Sequence, residues 1–370
     1  ISEDGRRALD FASGIAVNLL GHGHPHLTKA IADQAATLMH VSNLYGSPQG
    51  EAFAQRLVDN TFADTVFLTN SGAEAVECAI KTARRYHHAK GNPHKNVLIT
   101  FKNAFHGRTM ATISATDQEK LRDGFAPLLE GFVVVPFDDL EAARAAVDEN
   151  TAGFLVEPVQ GEGGARALSE QDLRKMRQLC DDNGVLLIYD EIQCGLGRTG
   201  KLFAHEWAEG AAPDIMCIAK ALGDGFPVGA CLATAEAAKG MTVGSHGSTY
   251  GGNPLAMAVG LAAFEELSKE ETLENARTVA GYLGQQLSGL KDRYPDVIAD
   301  IRGKGLLIGI KMIPNNRDVM QMARDQKLLV AGGGDNCIRL LPSLLLTQDE
   351  AREAVARLEK VCEVVRAQGV

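Results

Sequence analysis

The sequence predicts an α/β protein that combines a mostly parallel sheet with a second, smaller α+β layer. Three observations indicate this fold class. Short apolar runs alternate with helical patterns between residues 65 and 268, which is typical of a parallel sheet. Residues 185–189 form a continuous apolar run, as expected for a strand buried on both faces, and residues 270–370 alternate charged helices with short strands. The transition near residue 260 is expected to lie within a helix rather than in a hinge loop.

The individual elements follow from the spacing of apolar residues. Short apolar runs predict strands at residues 65–70, 96–101, 132–137, 153–156, 185–189, 215–219 and 305–311. Apolar residues at helical spacing predict helices near residues 27–39, 71–83, 170–183 and 255–268. Ser71 with Glu74 is a capping-box pattern, so the second of these helices is expected to begin there.

Composition argues against several classes of protein. The chain of 370 residues is 45% hydrophobic and 23% charged, as in ordinary globular domains. Its net charge of −10 argues against nucleic-acid binding, and its apolar runs are too short to span a membrane. The opening residues, ISEDGRRALDF, do not form a secretory signal. The seven cysteines are scattered, which predicts free thiols in a reducing cytoplasm.

Two residues carry the predicted chemistry. Asp190 ends the run at 185–189, and Lys220 follows the run at 215–219, so both lie where an open α/β sheet binds its ligand. Apolar neighbours favour a neutral, nucleophilic Lys220, and the buried Asp190 carboxylate requires a cationic or hydrogen-bonding partner. A lysine that bonds an aldehyde and an acid that binds a ring nitrogen are the pair that pyridoxal 5′-phosphate (PLP) requires. A solvated lysine and a capping aspartate remain the alternative interpretation of these two residues.

Three loops also have competing interpretations. Residues 71–73 begin a helix, so they form either an ordinary cap or a phosphate site. Residues 195–200 match a dinucleotide fingerprint, but the acids precede the glycines, which argues against an NAD site. The alternating histidines of residues 21–26 lie in a Gly- and Pro-containing loop, and no metal site is expected there.

Six motifs, in the same order along the chain, resemble the class III (ω-amino acid) aminotransferases of the type I PLP fold. They are SGAEA at 71–75, AFHGRT at 104–109, EPVQGEGG at 157–164, DEIQCGLGRTG at 190–200, AKALGDGFPVGA at 219–230 and HGSTYGGNPLA at 246–256. The resemblance implies a large PLP-binding domain at residues 48–260 that contains a mostly parallel seven-stranded sheet flanked by helices. It also implies a smaller α+β domain built from residues 1–47 and 261–370.

The resemblance further implies a role for each site residue. Lys220 and Asp190 would be catalytic, the first bonded to the coenzyme and the second paired with its ring nitrogen. The other implied coenzyme contacts are Ser71, Gly72 and Ala73 at the phosphate, Phe105 and Ile192 on the two ring faces, and Gln193 at the phenolic oxygen. Ser248 and Thr249 of a second subunit would complete the phosphate site, so a homodimer is the implied active species.

Substrate choice also follows from the resemblance. SGIAVNLLGHGHP at 13–25 and GGGDNCIRLLPSL at 332–344 are most similar to members that transfer the ω-amino group of N2-acetylornithine to 2-oxoglutarate in arginine synthesis. Succinyldiaminopimelate is a further candidate substrate. Arg108 and Arg339 would bind the two carboxylates of glutamate, and Glu162 would neutralise Arg339 while the ω-amine substrate is bound.

Two alternatives stay open. The first is a sister enzyme that acts on succinylornithine, ornithine or 4-aminobutyrate, and the second is a non-catalytic PLP-binding scaffold. Gly14 and Ile15 stand where ornithine-specific members carry a tyrosine, which favours an acylated substrate. Asp224 stands where many members have glycine, and we expect it to lie at the surface. Family members also have a segment before the position of Ile1 that contributes to the substrate pocket.

Overall fold

The computed structural model describes residue 5 and residues 7–368. Expectations for the opening residues and for the outer ends of the predicted small domain therefore lie in part outside the described residues. The strands, numbered in chain order, are β1 (Leu9–Asp10), β2 (Thr65–Thr69), β3 (Val97–Phe101), β4 (Phe132–Val135), β5 (Thr151–Val156), β6 (Val159–Gln160), β7 (Arg166–Ala167), β8 (Leu186–Asp190), β9 (Ile215–Ile218), β10 (Gly229–Ala233), β11 (Ile298–Lys304), β12 (Leu307–Met312), β13 (Leu328–Leu329), β14 (Ala331–Gly333) and β15 (Cys337–Leu340).

Helices precede and follow most strands. The α-helices are Pro25–Ala35, Pro48–Asp59, Gly72–Ala89, Met110–Ser114, Glu119–Arg122, Leu140–Ala145, Glu170–Asn183, Ala235–Ala238, Pro254–Leu267, Glu270–Arg293, Asn316–Asp325 and Gln348–Gln368. Short 3₁₀ helices occur at Ala204–Trp207 and Lys220–Leu222. A single helical turn at Ser13–Ala16 has positive φ angles and is left-handed.

A seven-stranded sheet in the order β2-β10-β9-β8-β5-β3-β4 is the centre of the fold. The pairs β8–β9, β5–β8, β3–β5 and β3–β4 are parallel. Strand β10 runs antiparallel to both β9 and β2. The predicted mostly parallel sheet is thus confirmed. Strand β10 was not predicted, because its glycine and alanines have little preference for extended structure.

Helices cover both faces of this sheet. Along β8, Leu186 and Ile188 belong to the apolar cluster that contains helix Gly72–Ala89, whereas Leu187 and Tyr189 belong to the cluster that contains helix Glu170–Asn183. Successive side chains of a strand point to opposite faces, so a strand covered twice is apolar at every position. This burial explains why the run at 185–189 is continuous.

The N-terminal and C-terminal parts of the described chain are joined by strand pairing. Strands β11, β12, β15 and β14 form an antiparallel sheet in that order, and β1 pairs in parallel with β13. The N-terminal segment is therefore joined to the C-terminal region by backbone hydrogen bonds. This pairing supports the proposed division at residues 47 and 260, and helix Pro254–Leu267 spans the second boundary.

One expectation about the surface is wrong. Asp224 is only 8% exposed, and its carboxylate accepts a hydrogen bond from the Leu20 N–H at 3.0 Å. A Gly-rich turn next to a charged residue indicated exposure, but the N-terminal segment packs over this turn.

All seven cysteine side chains are buried and free. Among the described helices, none is both long enough and apolar enough to cross a membrane.

Candidate active site

A cavity of about 400 Å³ lies at the carboxyl ends of β8 and β9. The predicted residues that line it are Ser71, Gly72, Ala73, Phe105, Arg108, Asp190, Ile192, Gln193 and Lys220. These residues come from loops up to 149 positions apart in the sequence, namely from Ser71 to Lys220. The parallel sheet brings them together because the carboxyl ends of its strands share one edge.

Lys220 occupies the turn that directly follows β9. Its φ of +50° is in the left-handed region, which is unfavourable for a residue with a side chain and persists at functional sites where surrounding structure enforces it. Desolvation lowers the pKa of the amine below its usual value, against the opposing effect of Asp190 and Glu162. The geometry therefore increases the neutral, nucleophilic fraction of this lysine.

Asp190 is paired with a histidine that the sequence analysis did not single out. His106 Nδ1 lies 2.7 Å from Asp190 Oδ2, and both side chains are buried. Asp190 Oδ1 also accepts from the Ile192 N–H at 3.1 Å. Burial by itself lowers the pKa of His106, but the hydrogen bond to Asp190 and the charge of nearby carboxylates raise that pKa above its usual value overall. The hydrogen bond to Asp190 thus favours the protonated form of His106.

Glu157 is a second cavity residue to which no role was assigned. Its carboxylate accepts from the N–H groups of Phe105 at 3.1 Å and Gly161 at 3.3 Å. Burial raises the pKa of Glu157 to about 7, His106 opposes this shift and Asp190 adds to it. Both missed residues stand inside motifs that were recognised, AFHGRT and EPVQGEGG, but neither motif indicates which side chain faces the cavity.

Glu157 should make the protein without coenzyme less stable at alkaline pH. A carboxyl group whose pKa is raised on folding binds its proton more tightly in the folded state, so its contribution is greatest below pH 4.5 and is lost as the pH rises to about 7. We expect the free energy of unfolding of Glu157→Gln, relative to that of wild type, to increase by roughly 3 kcal/mol between about pH 5 and pH 8. Urea unfolding at both pH values measures this difference. An equal pH dependence in the two proteins would contradict the expectation.

The helix Gly72–Ala89 presents its N-terminus to the cavity. Ser71 caps it by accepting from the Glu74 N–H at 3.3 Å, so the predicted N-cap is confirmed, whereas Glu74 accepts from the Asn70 N–H at 2.6 Å, one residue before the N–H that a capping box uses. A Cβ added to Gly72 would lie 2.8 Å from the Ile192 side chain, which leaves no room for a larger residue. The first N–H groups of a helix lack partners within it and attract anions.

Two predicted substrate residues form an ion pair next to the cavity. Arg339 is 1% exposed, and its Nη2 donates to Glu162 Oε1 at 2.6 Å. Its Nη1 donates to Gln193 Oε1 at 2.7 Å. The third predicted substrate residue, Arg108, is exposed, and its guanidinium lies 5.6 Å from the centre of the Phe105 ring. One predicted arginine is therefore neutralised by an acid beside the cavity, and the other lines the cavity and is exposed.

Ser248 and Thr249 are not among the residues that line the cavity in the described chain. Ser248 Oγ accepts from Asn70 Nδ2 at 3.1 Å, and Asn70 does line the cavity. Thr249 is exposed. The contribution of these residues to a neighbouring subunit stays a prediction.

Residues 1–362 match the family model described as aminotransferase class III. Acetylornithine aminotransferase 2 of Caulobacter vibrioides is 61% identical over 99% of this chain and 91% of its own length. The crystal structure of N-acetylornithine aminotransferase from Stenotrophomonas maltophilia matches with a TM-score of 0.86 at 36% identity, covering 99% of this chain and 93% of that one. An ornithine aminotransferase from Toxoplasma gondii, described with PLP at its active site, matches with a TM-score of 0.95 at 32% identity, covering 99% and 88% of the two chains. Taken with the geometry of the site, these matches show that the chain belongs to the class III aminotransferases.

Proposed function

We propose that this protein transfers the ω-amino group of N2-acetylornithine to 2-oxoglutarate, giving N-acetylglutamate 5-semialdehyde and glutamate in arginine synthesis. The observation that carries this proposal is that Arg108 lines the cavity without an acid partner among the described residues, whereas Arg339, which donates to the cavity residue Gln193, is neutralised by Glu162. Acetylornithine has one carboxylate and glutamate has two. The same site can bind both only if one cationic partner is masked for the first substrate and free for the second.

PLP is the coenzyme of class III aminotransferases, and the cavity fits it in three respects. Lys220 supplies an amine with a lowered pKa, and Asp190 supplies a buried carboxylate whose charge His106 supports. The N-terminus of helix Gly72–Ala89 offers a phosphate site at which Gly72 permits a close approach of the backbone. Phe105 and Ile192 would flank the ring, and Gln193 would contact its phenolic oxygen. When bound, PLP supplies an aldehyde and a cationic ring that withdraws electrons from the neighbouring carbon.

Each residue of the site then has a separate role in the reaction. Lys220 Nζ, once free, removes the proton from the amine-bearing carbon of the substrate, which requires the neutral form that desolvation favours. The Asp190 carboxylate keeps a proton on the ring nitrogen, and the hydrogen bond from His106 holds that carboxylate in place. Arg108 binds the α-carboxylate and so directs the far amine of acetylornithine toward Lys220.

Glu162 should control the balance between the two half-reactions. In Glu162→Gln, the Arg339 cation loses its acid partner. A carboxylate of glutamate then no longer competes with Glu162 for Arg339, whereas the ω-amine substrate binds next to an unneutralised positive charge. We expect the preference for acetylornithine over glutamate to fall by about tenfold, which corresponds to one charge-assisted hydrogen bond. Single-turnover rates with each amine measure this ratio. The control is Glu170→Gln, since Glu170 is an exposed acid outside the cavity, and an unchanged ratio in Glu162→Gln would refute the switch.

A homodimer is part of the proposal. An apolar cluster of Leu44, Tyr45 and Tyr250 is 84%, 68% and 62% exposed in the single chain. It is continuous with Ser248, because Asn43 Nδ2 donates to the Ser248 carbonyl at 3.1 Å. A second copy that covers this cluster would place its own residues beside the phosphate end of the cavity.

The seven buried free thiols favour a reducing compartment, so we extend the proposal to a cytoplasmic location.

Charging the apolar cluster should separate the subunits. We expect Leu44→Glu to weaken self-association by at least about tenfold, because an apolar side chain at the centre of an interface costs more than 1 kcal/mol to replace. Sedimentation velocity over a concentration series measures the effect, and coenzyme retention should fall in parallel. The matched control is Leu129→Glu at another exposed leucine outside the cluster. If Leu44→Glu and Leu129→Glu associate equally, the interface lies elsewhere.

The substrate is tested by single-turnover spectra of the coenzyme-loaded protein with acetylornithine, succinylornithine, ornithine and 4-aminobutyrate. We expect acetylornithine to react fastest. A faster reaction with unacylated ornithine or 4-aminobutyrate would replace the proposal by the corresponding sister activity. A protein that binds PLP but reacts with none of the four amines would indicate the scaffold alternative.

A further inference from the structure

Asp224 joins the turn that carries Lys220 to the N-terminal segment of the chain. Asp224 Oδ1 accepts from the Leu20 N–H at 3.0 Å, and the Asp224 carbonyl accepts from Asn18 Nδ2 at 3.2 Å. The next residue, Gly225, has no space for a side chain, because a Cβ there would lie 2.9 Å from Asn18 Nδ2. Two hydrogen bonds thus hold residues 18–20 against this turn.

The segment held in this way forms part of the cavity wall. Val17 lines the cavity on the N-terminal side, and Gly225 and Phe226 line it on the side of the Lys220 turn. Asp224 therefore stands between two stretches that both line the cavity. A displacement of residues 17–20 would change the shape of the wall without touching Lys220 itself.

This part of the wall has a backbone that needs support. Ser13, Gly14, Ile15 and Ala16 have φ angles between +46° and +65°. Such angles are unfavourable for a residue with a side chain, most of all for β-branched Ile15, and they persist only where the surroundings enforce them. Upstream, Asp10 Oδ1 accepts from the Ala12 and Ser13 N–H groups at 2.9 and 2.8 Å.

The downstream end of the left-handed turn is fixed by two sets of contacts. Asp224 supplies one, and the other comes from the C-terminal region, where Ser343 Oγ and the Leu344 N–H both donate to the Leu19 carbonyl at 2.7 Å. The Asp224 side chain is the only one of these groups that belongs to the turn of Lys220. It therefore couples the position of the wall to that of the reactive amine.

A buried cation also lies near Asp224. Arg198 is fully buried and donates to the Leu306 and Pro342 carbonyls at 3.1 and 2.5 Å. Its Nε and Nη2 have no hydrogen-bond partner within the described part of the chain. Burial lowers the pKa of Arg198 to about 9, and the charge of Asp224 opposes that shift. Burial raises the pKa of Asp224 to about 6, and the hydrogen bond from the Leu20 N–H and the charge of Arg198 oppose that shift.

We propose that Asp224 is a positioning residue that fastens residues 17–20 to the Lys220 turn and thereby shapes the part of the cavity that receives the acylated amine. The proposal rests on the proposed function. Carboxylates bind through Arg108 and Arg339, so the apolar wall at Val17 should matter more for the amine substrate than for 2-oxoglutarate.

The test compares Asp224→Gly and Asp224→Asn with wild type, all as holoenzyme at about pH 8, which lies above the pKa of about 6 that burial gives Asp224. Glycine suits the φ of +44° at this position, so the first variant removes the carboxylate without adding backbone strain. Asparagine also tolerates this region and keeps an oxygen acceptor for the Leu20 N–H.

Amide hydrogen exchange is the first readout. We expect residues 17–20 of Asp224→Gly to exchange at least about tenfold faster, with helix Glu170–Asn183 unchanged as an internal reference, and Asp224→Asn to lie between the two proteins. Unchanged exchange at residues 17–20, or an equal increase in the reference helix, would overturn the proposal. This readout needs no substrate, so it stands even if acetylornithine proves to be the wrong amine.

The second readout is steady-state kinetics. For Asp224→Gly we expect the KM for acetylornithine to rise about fivefold, while kcat and the KM for 2-oxoglutarate stay within about twofold. A merely structural role would lower kcat and affect both substrates alike, and that result would overturn the proposal. If wild type does not turn over acetylornithine, the proposed function fails, whereas a local change in exchange would still support the fastening.

Discussion

Replacing Lys220 with alanine should reduce the rate of amino transfer by about 10⁴-fold, the upper range for loss of a positioned proton-transfer group. Lys220 is the amine at the carboxyl end of β9, and desolvation lowers its pKa. Alanine can neither bond the coenzyme aldehyde nor move the proton at the substrate carbon. Steady-state and single-turnover rates measure the loss, and the absorption band of bound coenzyme should change at the same time.

Two further variants make the Lys220 result specific. Lys220→Arg keeps a positive charge in the cavity but cannot give up a proton, so it should be nearly as inactive as the alanine variant. Lys29→Ala removes an exposed lysine outside the cavity and should leave the rate unchanged. Activity of Lys220→Ala within tenfold of wild type would show that another group carries the proton.

Asp190→Asn should lower the rate by about 10²- to 10³-fold, as expected when one preorganised electrostatic contact is lost. Asparagine preserves the shape of the side chain but carries no charge to hold a proton on the ring nitrogen. His106 also loses its carboxylate partner at 2.7 Å, so burial then lowers its pKa against only the charge of Glu157. The rate and the titration of His106 by NMR should therefore change together.

The control for this prediction is Asp33→Asn, an exposed aspartate on a surface helix. We expect it to leave both the rate and the His106 titration unchanged. A rate for Asp190→Asn within fivefold of wild type would mean that another group binds the ring nitrogen. The buried acid Glu157, which also lines the cavity, would then be the next candidate. Coenzyme binding must be measured separately. If the rate falls because the variant has lost its coenzyme, a high coenzyme concentration should restore the rate.

The sequence carried enough information to predict the parallel sheet and most of its strands. The apolar run at 185–189 has no polar interruption because Leu186 to Tyr189 are covered on both faces. The placement of Lys220 and Asp190 at the site could be predicted from their positions after such runs, since a charged residue at the end of a buried strand marks the ligand edge of the sheet. The N-cap at Ser71 is local chemistry and needs no tertiary contact to be recognised.

Other features depend on residues that are distant in the chain. The pairing of His106 with Asp190 spans 84 positions, and that of Arg339 with Gln193 spans 146, so no local pattern predicts either distance. Asp224 was expected at the surface because its neighbours are glycines, yet Leu20 and Asn18 pack over it from the other end of the chain.

The sequence by itself thus determined the fold class and the two residues with intrinsic chemistry, because periodicity and strand ends are local properties. Tertiary structure decided which charges face one another, which acids are desolvated and which wall closes the cavity. Burial and proximity set the pKa of Glu157 and the position of Asp224, and both exist only once distant segments have packed together.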